Sequence, residues 1–372
     1  MRGRGDRLRH AVRAVHLWLG IGLGGLFALL GLTGAALVFY PEIDARLHPA
    51  LLAQSTAGPA DIDRALATVR HAFPDRDGPW RFEVTGRPGA IPARYYGAQD
   101  MAGESFHPLM VWLSPDGGRV LRQDRWGDYA MTFVYDLHYR LLLDRTGGTV
   151  LGWTGLALLA LLFSGLWAWW PRGSWRKALR LKPAGHRQRA LRDWHKLAGL
   201  SGLVVLVALT GTGTMLELPR QSDAALGALG WPVRAMPHVH PGGGDGGPVW
   251  PSAAVAAAEA GLPGGRVAWI ETPPATGGAY RLRVRVPGDP GRRFPHGYVW
   301  VDGASGAVVA VHDLRRAGAG DRINAWVHPL HDGSAFGLAG RVLALLTGLL
   351  PPVLFVTGWM RWRDRRRARS GR

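Results

Sequence analysis

The sequence predicts an α-helical integral membrane protein with four transmembrane helices and two outer α+β modules, built as an internal duplication. Three observations lead there. The 372 residues are 47% hydrophobic with 17 Trp, yet the mean hydropathy is only −0.01, so very apolar segments must alternate with ordinary polar ones. The net charge of +18 is confined to short segments flanking the apolar runs. Four histidines stand at matched offsets from small-residue motifs in the two halves.

In chain order, residues 1–13 form a basic terminus with five Arg and one acid. Residues 14–40 are the first span; the run is longer than the roughly 7–15-residue core of a signal peptide, so it reads as an uncleaved anchor. The outer region 41–149 opens with PADIDRALATVRHAF, an amphipathic helix over 59–73, and continues with strand runs such as LMVWLSPDGGRVL, where Asp116-Gly117 signals a hairpin. Residues 150–170 are the second span, and the loop 171–196 holds nine Lys or Arg against one acid. A third span covers 197–218. The second outer region, 219–337, repeats the plan: PSAAVAAAEAGL as helix, then RVAWIE, AYRLRVRV and YVWVDGASGAVVAVHD as strands. A fourth span, 338–362, leads into the basic tail 363–372. Each span can cross a hydrocarbon core ~30 Å thick, which takes about 20 helical residues. The basic excess places both termini and the 171–196 loop on the cytoplasmic side and both outer regions opposite. With the excess located at the membrane, no basic patch is left for nucleic acid.

The chain has no cysteine, which excludes disulfides, thiolate zinc sites, cysteine-ligated clusters and covalent c-type haem. Histidine is then the natural metal ligand. His16 precedes Thr33-Gly34 by the offset at which His195 precedes Thr212-Gly213. His138 precedes Ser164-Gly165 as His331 precedes Thr357-Gly358. Topology puts His16 and His195 at one membrane face and His138 and His331 at the other, giving two same-side pairs. Ionisable residues near a membrane interior are candidates for function. A divalent ion would want three or four protein ligands, whereas haem needs two, and its macrocycle suits Gly-rich and Leu-rich helices. Gly20, Gly22, Gly24, Gly25, Gly199 and Gly202 allow close approach of a flat ring or, equally, of another helix. His328, three residues before His331, is the alternative outer ligand; only His331 repeats the Leu-His pair of Leu137-His138.

The stretches VHLWLGIGLGG, LHYRLLLDRTGG with GLWAWWPR, RDWHKLAGL with LTGTG, and VHPLHDGSAFGLAGR with VTGWMRW resemble the PepSY-associated transmembrane proteins, also called iron-regulated membrane proteins. Some of these are inner-membrane ferric-siderophore reductases with two b-type haems. The resemblance covers all four spans in order. It implies PepSY-like outer modules, a bacterial inner-membrane location, two non-covalent haem b groups held by His16, His195, His138 and His331, and a ferric siderophore or other ferric chelate as acceptor. The chain carries no nicotinamide- or flavodoxin-type domain, so a quinol or a cytoplasmic reductase is expected as electron donor. A non-enzymatic binding or regulatory membrane protein and a transporter subunit are the competing readings.

Two features suggest where an acceptor would dock. Arg281, Arg283 and Arg285 alternate with apolar residues, which puts three guanidinium groups on one strand face, suited to an anionic chelate or simply to water. Trp126 and Tyr129, ahead of His138, are either a substrate-facing aromatic surface or interfacial anchors. His107, His238, His240, His296 and His312 fall in loops or strand ends, where a surface role is the default.

Overall fold

The computed structural model describes residues 4–52, 61–86, 89–96, 107–171, 173–179, 187–237, 239 and 249–370; His238 and His240 lie outside them. Its principal helices are α1 (Arg4–Leu37), α2 (Ile62–Ala72), α3 (Ala130–Arg140), α4 (Asp144–Trp169), α5 (Arg187–Glu217), α6 (Pro251–Gly261), α7 (Ala319–His331), α8 (Gly337–Gly348) and α9 (Leu350–Ser370). Four stretches are long and apolar enough to cross a membrane: α1, α4, α5 and the combined α8–α9 segment. The fourth span is therefore not one continuous helix. Pro351 and Pro352 lack the N–H that would continue the ladder, and the chain passes from α8 to α9 at Leu349. The break lies against α1: a Cβ at Gly31 would stand 2.5 Å from the Gly348 carbonyl oxygen.

The spans form a bundle in which α1 packs on α4 and α9, and α5 packs on the same two helices. Its centre is Phe27, Leu158, Leu161, Leu162 and Leu206. Lipid supplies no hydrophobic drive between helices, so close approach depends on small residues. Gly155 meets Thr214 and Gly152 meets Leu218 across the α4–α5 contact, Gly24 and Gly25 face the Phe355 ring, and Gly202 faces Leu350. Most of the span glycines thus serve helix packing.

Helices α3 and α7 dip back toward the bundle instead of extending the spans. Between α3 and α4 the chain turns through Leu141, Leu142 and Asp144, all at positive φ (53°, 58° and 49°), a region that non-glycine residues seldom occupy. The turn precedes Gly147-Gly148, and these glycines make room for it. Gly147 takes the Arg140 carbonyl where a side chain would stand, and Gly148 takes the Glu217 carboxylate. Gly333 (φ 76°) and Gly340 make the corresponding close approach between α7 and α8.

The strands of the two outer regions join in a single sheet. Strands β1 (Trp80–Glu83), β2 (Ile91–Tyr95), β3 (Leu109–Leu113), β4 (Val120–Arg125), β5 (Arg266–Glu271), β6 (Ala279–Arg285), β7 (Gly297–Asp302) and β8 (Val308–His312) make one antiparallel sheet in the order β4-β3-β2-β1-β5-β6-β7-β8. Two four-stranded meanders meet where β1 pairs with β5, Phe82 opposite Ile270. Exposed sheet edges are costly to leave unpaired, and the joint covers one edge of each meander. Helices α2 and α6 cover one face over Phe82, Ala93, Val111, Leu282 and Val299. The alternate residues face the other way, where arginines lie over aromatic rings: Arg122 over Trp112 at 4.3 Å, Arg81 over Trp269 at 4.8 Å and Arg283 over Tyr298 at 5.0 Å. This second face sits on the bundle, with Trp112, Trp126, Tyr129 and Met131 packed against Leu37, Tyr40 and Ile43.

Paired imidazoles in the helix bundle

Each of the four predicted histidines projects from one helix into a seat on another. The Nδ1 of His16 on α1 lies 3.1 Å from the Leu161 carbonyl and 3.3 Å from Ser164 Oγ on α4. His195 on α5 makes the same pair of contacts on α9, at 3.0 Å to the Leu354 carbonyl and 3.0 Å to Thr357 Oγ1. His138, near the end of α3, reaches Thr33 Oγ1 on α1 at 2.9 Å. His331, at the end of α7, reaches the Leu209 carbonyl at 2.9 Å and Thr212 Oγ1 at 3.2 Å on α5.

The seats share one chemistry. Every hydroxyl donates its own hydrogen one turn back along its helix: Thr33 to Leu29 at 2.8 Å, Ser164 to Leu161 at 2.9 Å, Thr212 to Ala208 at 2.6 Å and Thr357 to Val353 at 2.6 Å. Its oxygen is left to accept. Carbonyl oxygens also only accept, so Nδ1 is the protonated nitrogen in each ring and Nε2 keeps its lone pair. The glycine after each hydroxyl makes room for the ring. A Cβ at Gly34 would lie 2.9 Å from His138 Cε1, at Gly165 2.8 Å from His16, at Gly213 2.8 Å from His331 and at Gly358 3.3 Å from His195. Within each half the seats are crossed: the first span receives the histidine that precedes the second, and the second span receives the histidine of the first.

The imidazoles meet in two pairs. His16 and His195 have ring centroids 6.2 Å apart, and His138 and His331 have theirs 6.1 Å apart. His331 and not His328 faces His138; His328 turns toward Asp332 (3.4 Å) and the Phe294 ring (5.5 Å). Among the described residues no group of three or more His, Asp or Glu could hold a metal ion. Each site brings together two imidazoles, each held through Nδ1, and apolar helix surface.

The region between the His138–His331 pair and the sheet is aromatic. Tyr135 packs on Trp126 at 5.1 Å and on Tyr40 at 6.4 Å, and burial pushes its hydroxyl up to about 12. Trp126 is 5% exposed and its indole N–H donates to Asp136 at 2.8 Å; Tyr129 is buried with its hydroxyl 3.0 Å from that of Tyr40. Both are interior groups joining sheet to bundle. Of the strand arginines, Arg281 bonds Glu271 at 2.6 Å, Arg283 lies between Tyr298 and Phe294, and Arg285 is exposed. Sequence reasoning missed Arg293, which grips both carboxylate oxygens of Glu83 at 2.7 and 2.8 Å and so ties the β6–β7 connection to the other meander. Burial works to raise the Glu83 carboxyl, but the Arg293 guanidinium overrides it and holds the group below the usual range.

No curated protein matches the chain. The family model described as the PepSY-associated transmembrane region matches residues 13–365. That match takes in all four histidines, all four hydroxyl–glycine seats and the sheet between them, and the chain belongs to this family.

Proposed function

We propose that this protein is a dihaem b electron-transfer protein of the bacterial inner membrane, an oxidoreductase that passes electrons to a ferric siderophore or similar ferric chelate on the outer side. The observation that carries the reading is the double pairing of imidazoles, each held through Nδ1 so that its Nε2 lone pair is left free. The ring centroids of each pair, 6.2 and 6.1 Å apart, are close enough that both imidazoles of a pair could ligate one iron. His16 with His195 and His138 with His331 would each hold one haem, which needs only two protein ligands, whereas a bare divalent ion would lack ligands. When bound, haem iron supplies one-electron chemistry between its two oxidation states.

The protein's own residues do the rest. The four hydroxyls and three backbone carbonyls fix the tautomer and orientation of the ligating rings. The apolar bundle excludes water from them, and the aromatic layer of Tyr135, Trp126 and Tyr40 closes the outer site beneath the sheet. A quinol or a cytoplasmic reductase is the proposed donor. One electron delivered outward converts one chelated Fe(III) to Fe(II), which hard oxygen ligands hold less well. Arg285, exposed on the sheet, supplies positive charge that an anionic chelate would meet. The two meanders are read as PepSY-like modules, and the repeated seats as the product of duplication.

The test is an absorption spectrum of the purified protein before and after dithionite. Sharpened α bands on reduction support the reading. A colourless protein would leave a non-enzymatic binding or regulatory role, or a transporter subunit.

A further inference from the structure

We infer that the arginine-lined cavity at the end of the bundle that carries the termini, with Arg361 and Arg192 foremost, is a carboxylate-binding site for the propionates of the haem between His16 and His195. The inference rests on the dihaem reading and extends it to residues that no histidine pattern identifies.

The cavity, about 470 Å³, is lined by Gln188, Arg189, Arg192, Arg361 and Arg365. Its position follows from helical spacing. Arg192 lies three residues and Gln188 seven residues before His195 on α5, while Arg361 lies four and Arg365 eight residues after Thr357, the seat of His195, on α9. Residues three, four, seven and eight apart share a helix face. Both linings therefore start one turn from the imidazole pair and end two turns away, ~5–12 Å along the axis.

The charges are consistent with an anion there. Arg361 is part-buried, within electrostatic reach of both His16 and His195, and its Nε is buried with no hydrogen-bond partner among the described residues. Leaving a guanidinium N–H unmet in an apolar bundle is costly, and a carboxylate satisfies it through parallel hydrogen bonds. The nearby acids are already engaged: Asp193 with Lys196 (3.4 Å) and Arg192 (3.6 Å), Asp364 with Gln188 (3.0 Å) and Arg187 (3.5 Å).

The repeat carries this lining only in part: Arg192 and Arg365 have sequence counterparts in Arg13, three residues before His16, and Arg172, eight after Ser164. The residue four after Ser164, at the place equivalent to Arg361, is Ala168, and Arg9 at the place equivalent to Gln188 donates to the Trp170 carbonyl. At the opposite end of the bundle Arg341 is committed to Glu42 (2.7 Å) and the Val38 carbonyl.

A spectroelectrochemical titration of the purified full-length holoprotein tests this. Removing a positive charge beside the propionates disfavours the reduced, more negative state. Arg361→Gln should shift the reduction equilibrium of the component that His195→Ala abolishes by about tenfold toward the oxidised form, ~59 mV for one electron. Arg361→Lys should retain most of the wild-type potential, and the component that His138→Ala abolishes should not move. Apoprotein titrated with native haem should bind it more tightly as wild type than as Arg361→Gln, whereas haem dimethyl ester, which has no carboxylates, should bind the two equally. No shift with native haem would overturn the inference while leaving the dihaem reading intact. An affinity difference that persists with the ester would overturn it in favour of a lipid phosphate or free anion. A wild-type protein that binds no haem would sink both.

Discussion

A histidine near an apolar helix carries little information alone; here its meaning comes from the residue that holds it. The Ser/Thr-Gly dipeptides look, in sequence, like generic helix-packing motifs that happen to repeat. In the structure they are seats, the hydroxyl oxygen accepting from Nδ1 and the glycine clearing the ring. Replacing Thr33 by Val keeps the shape and removes the acceptor for His138, at a cost of about 1 kcal/mol for one hydrogen bond. Haem affinity of the outer site should fall about fivefold, measured by transfer to apomyoglobin, with the inner site unaffected. Gly213→Val has a steric effect instead. It should push His331 from its seat and deplete one of the two spectral components, whereas His328→Ala should leave both. Equal loss of both components in Gly213→Val would mean that the pairs are not independent.

At the scale of elements, the spans were legible because about 20 apolar residues between basic segments have few alternatives. The breaks were less so. The proline pair at 351–352 is visible in the sequence, but nothing local marks Leu141 and Leu142 for the left-handed conformation that swings His138 back to α1; tertiary packing imposes it. Leu142 is half exposed, so Leu142→Gly should relieve the strained φ and raise stability by roughly 0.5 kcal/mol, read as an increase in Tm in detergent. The joining of two meanders was equally hidden, since β1–β5 pairing is non-local and each meander alone looks complete. The Glu83–Arg293 ion pair crosses that joint. Glu83→Gln should destabilise the protein by about 2 kcal/mol. Because the folded carboxyl lies below its unfolded value, near 4.3, the pair's stabilisation is present above that value and fades as pH falls through the folded one. The variant should accordingly lose less stability on acidification than wild type, which thermal melts between pH 6 and pH 3 would reveal.

Over the whole molecule, a four-helix bundle holds two imidazole pairs near its two ends, capped on one side by a sheet and on the other by arginines. The net charge of +18 sets the expected orientation: reporter fusions after Arg369 should report cytoplasm, and fusions near Asp116 and Asp302 should report the outer compartment. A cytoplasmic signal at Asp116 would contradict the proposed outward direction of electron transfer. The pairing of histidines was legible from offsets and topology together. The crossed seating, the aromatic layer under the sheet and the arginine cavity were not, because each depends on which helices become neighbours.

The most direct measurement is a set of reduced-minus-oxidised spectra, resolved by redox titration, of the four single variants His16→Ala, His195→Ala, His138→Ala and His331→Ala. The account predicts two components of different potential, with His16→Ala and His195→Ala removing one and His138→Ala and His331→Ala removing the other. Loss of the same component in His138→Ala and His195→Ala, or four variants with unaltered spectra, would contradict it.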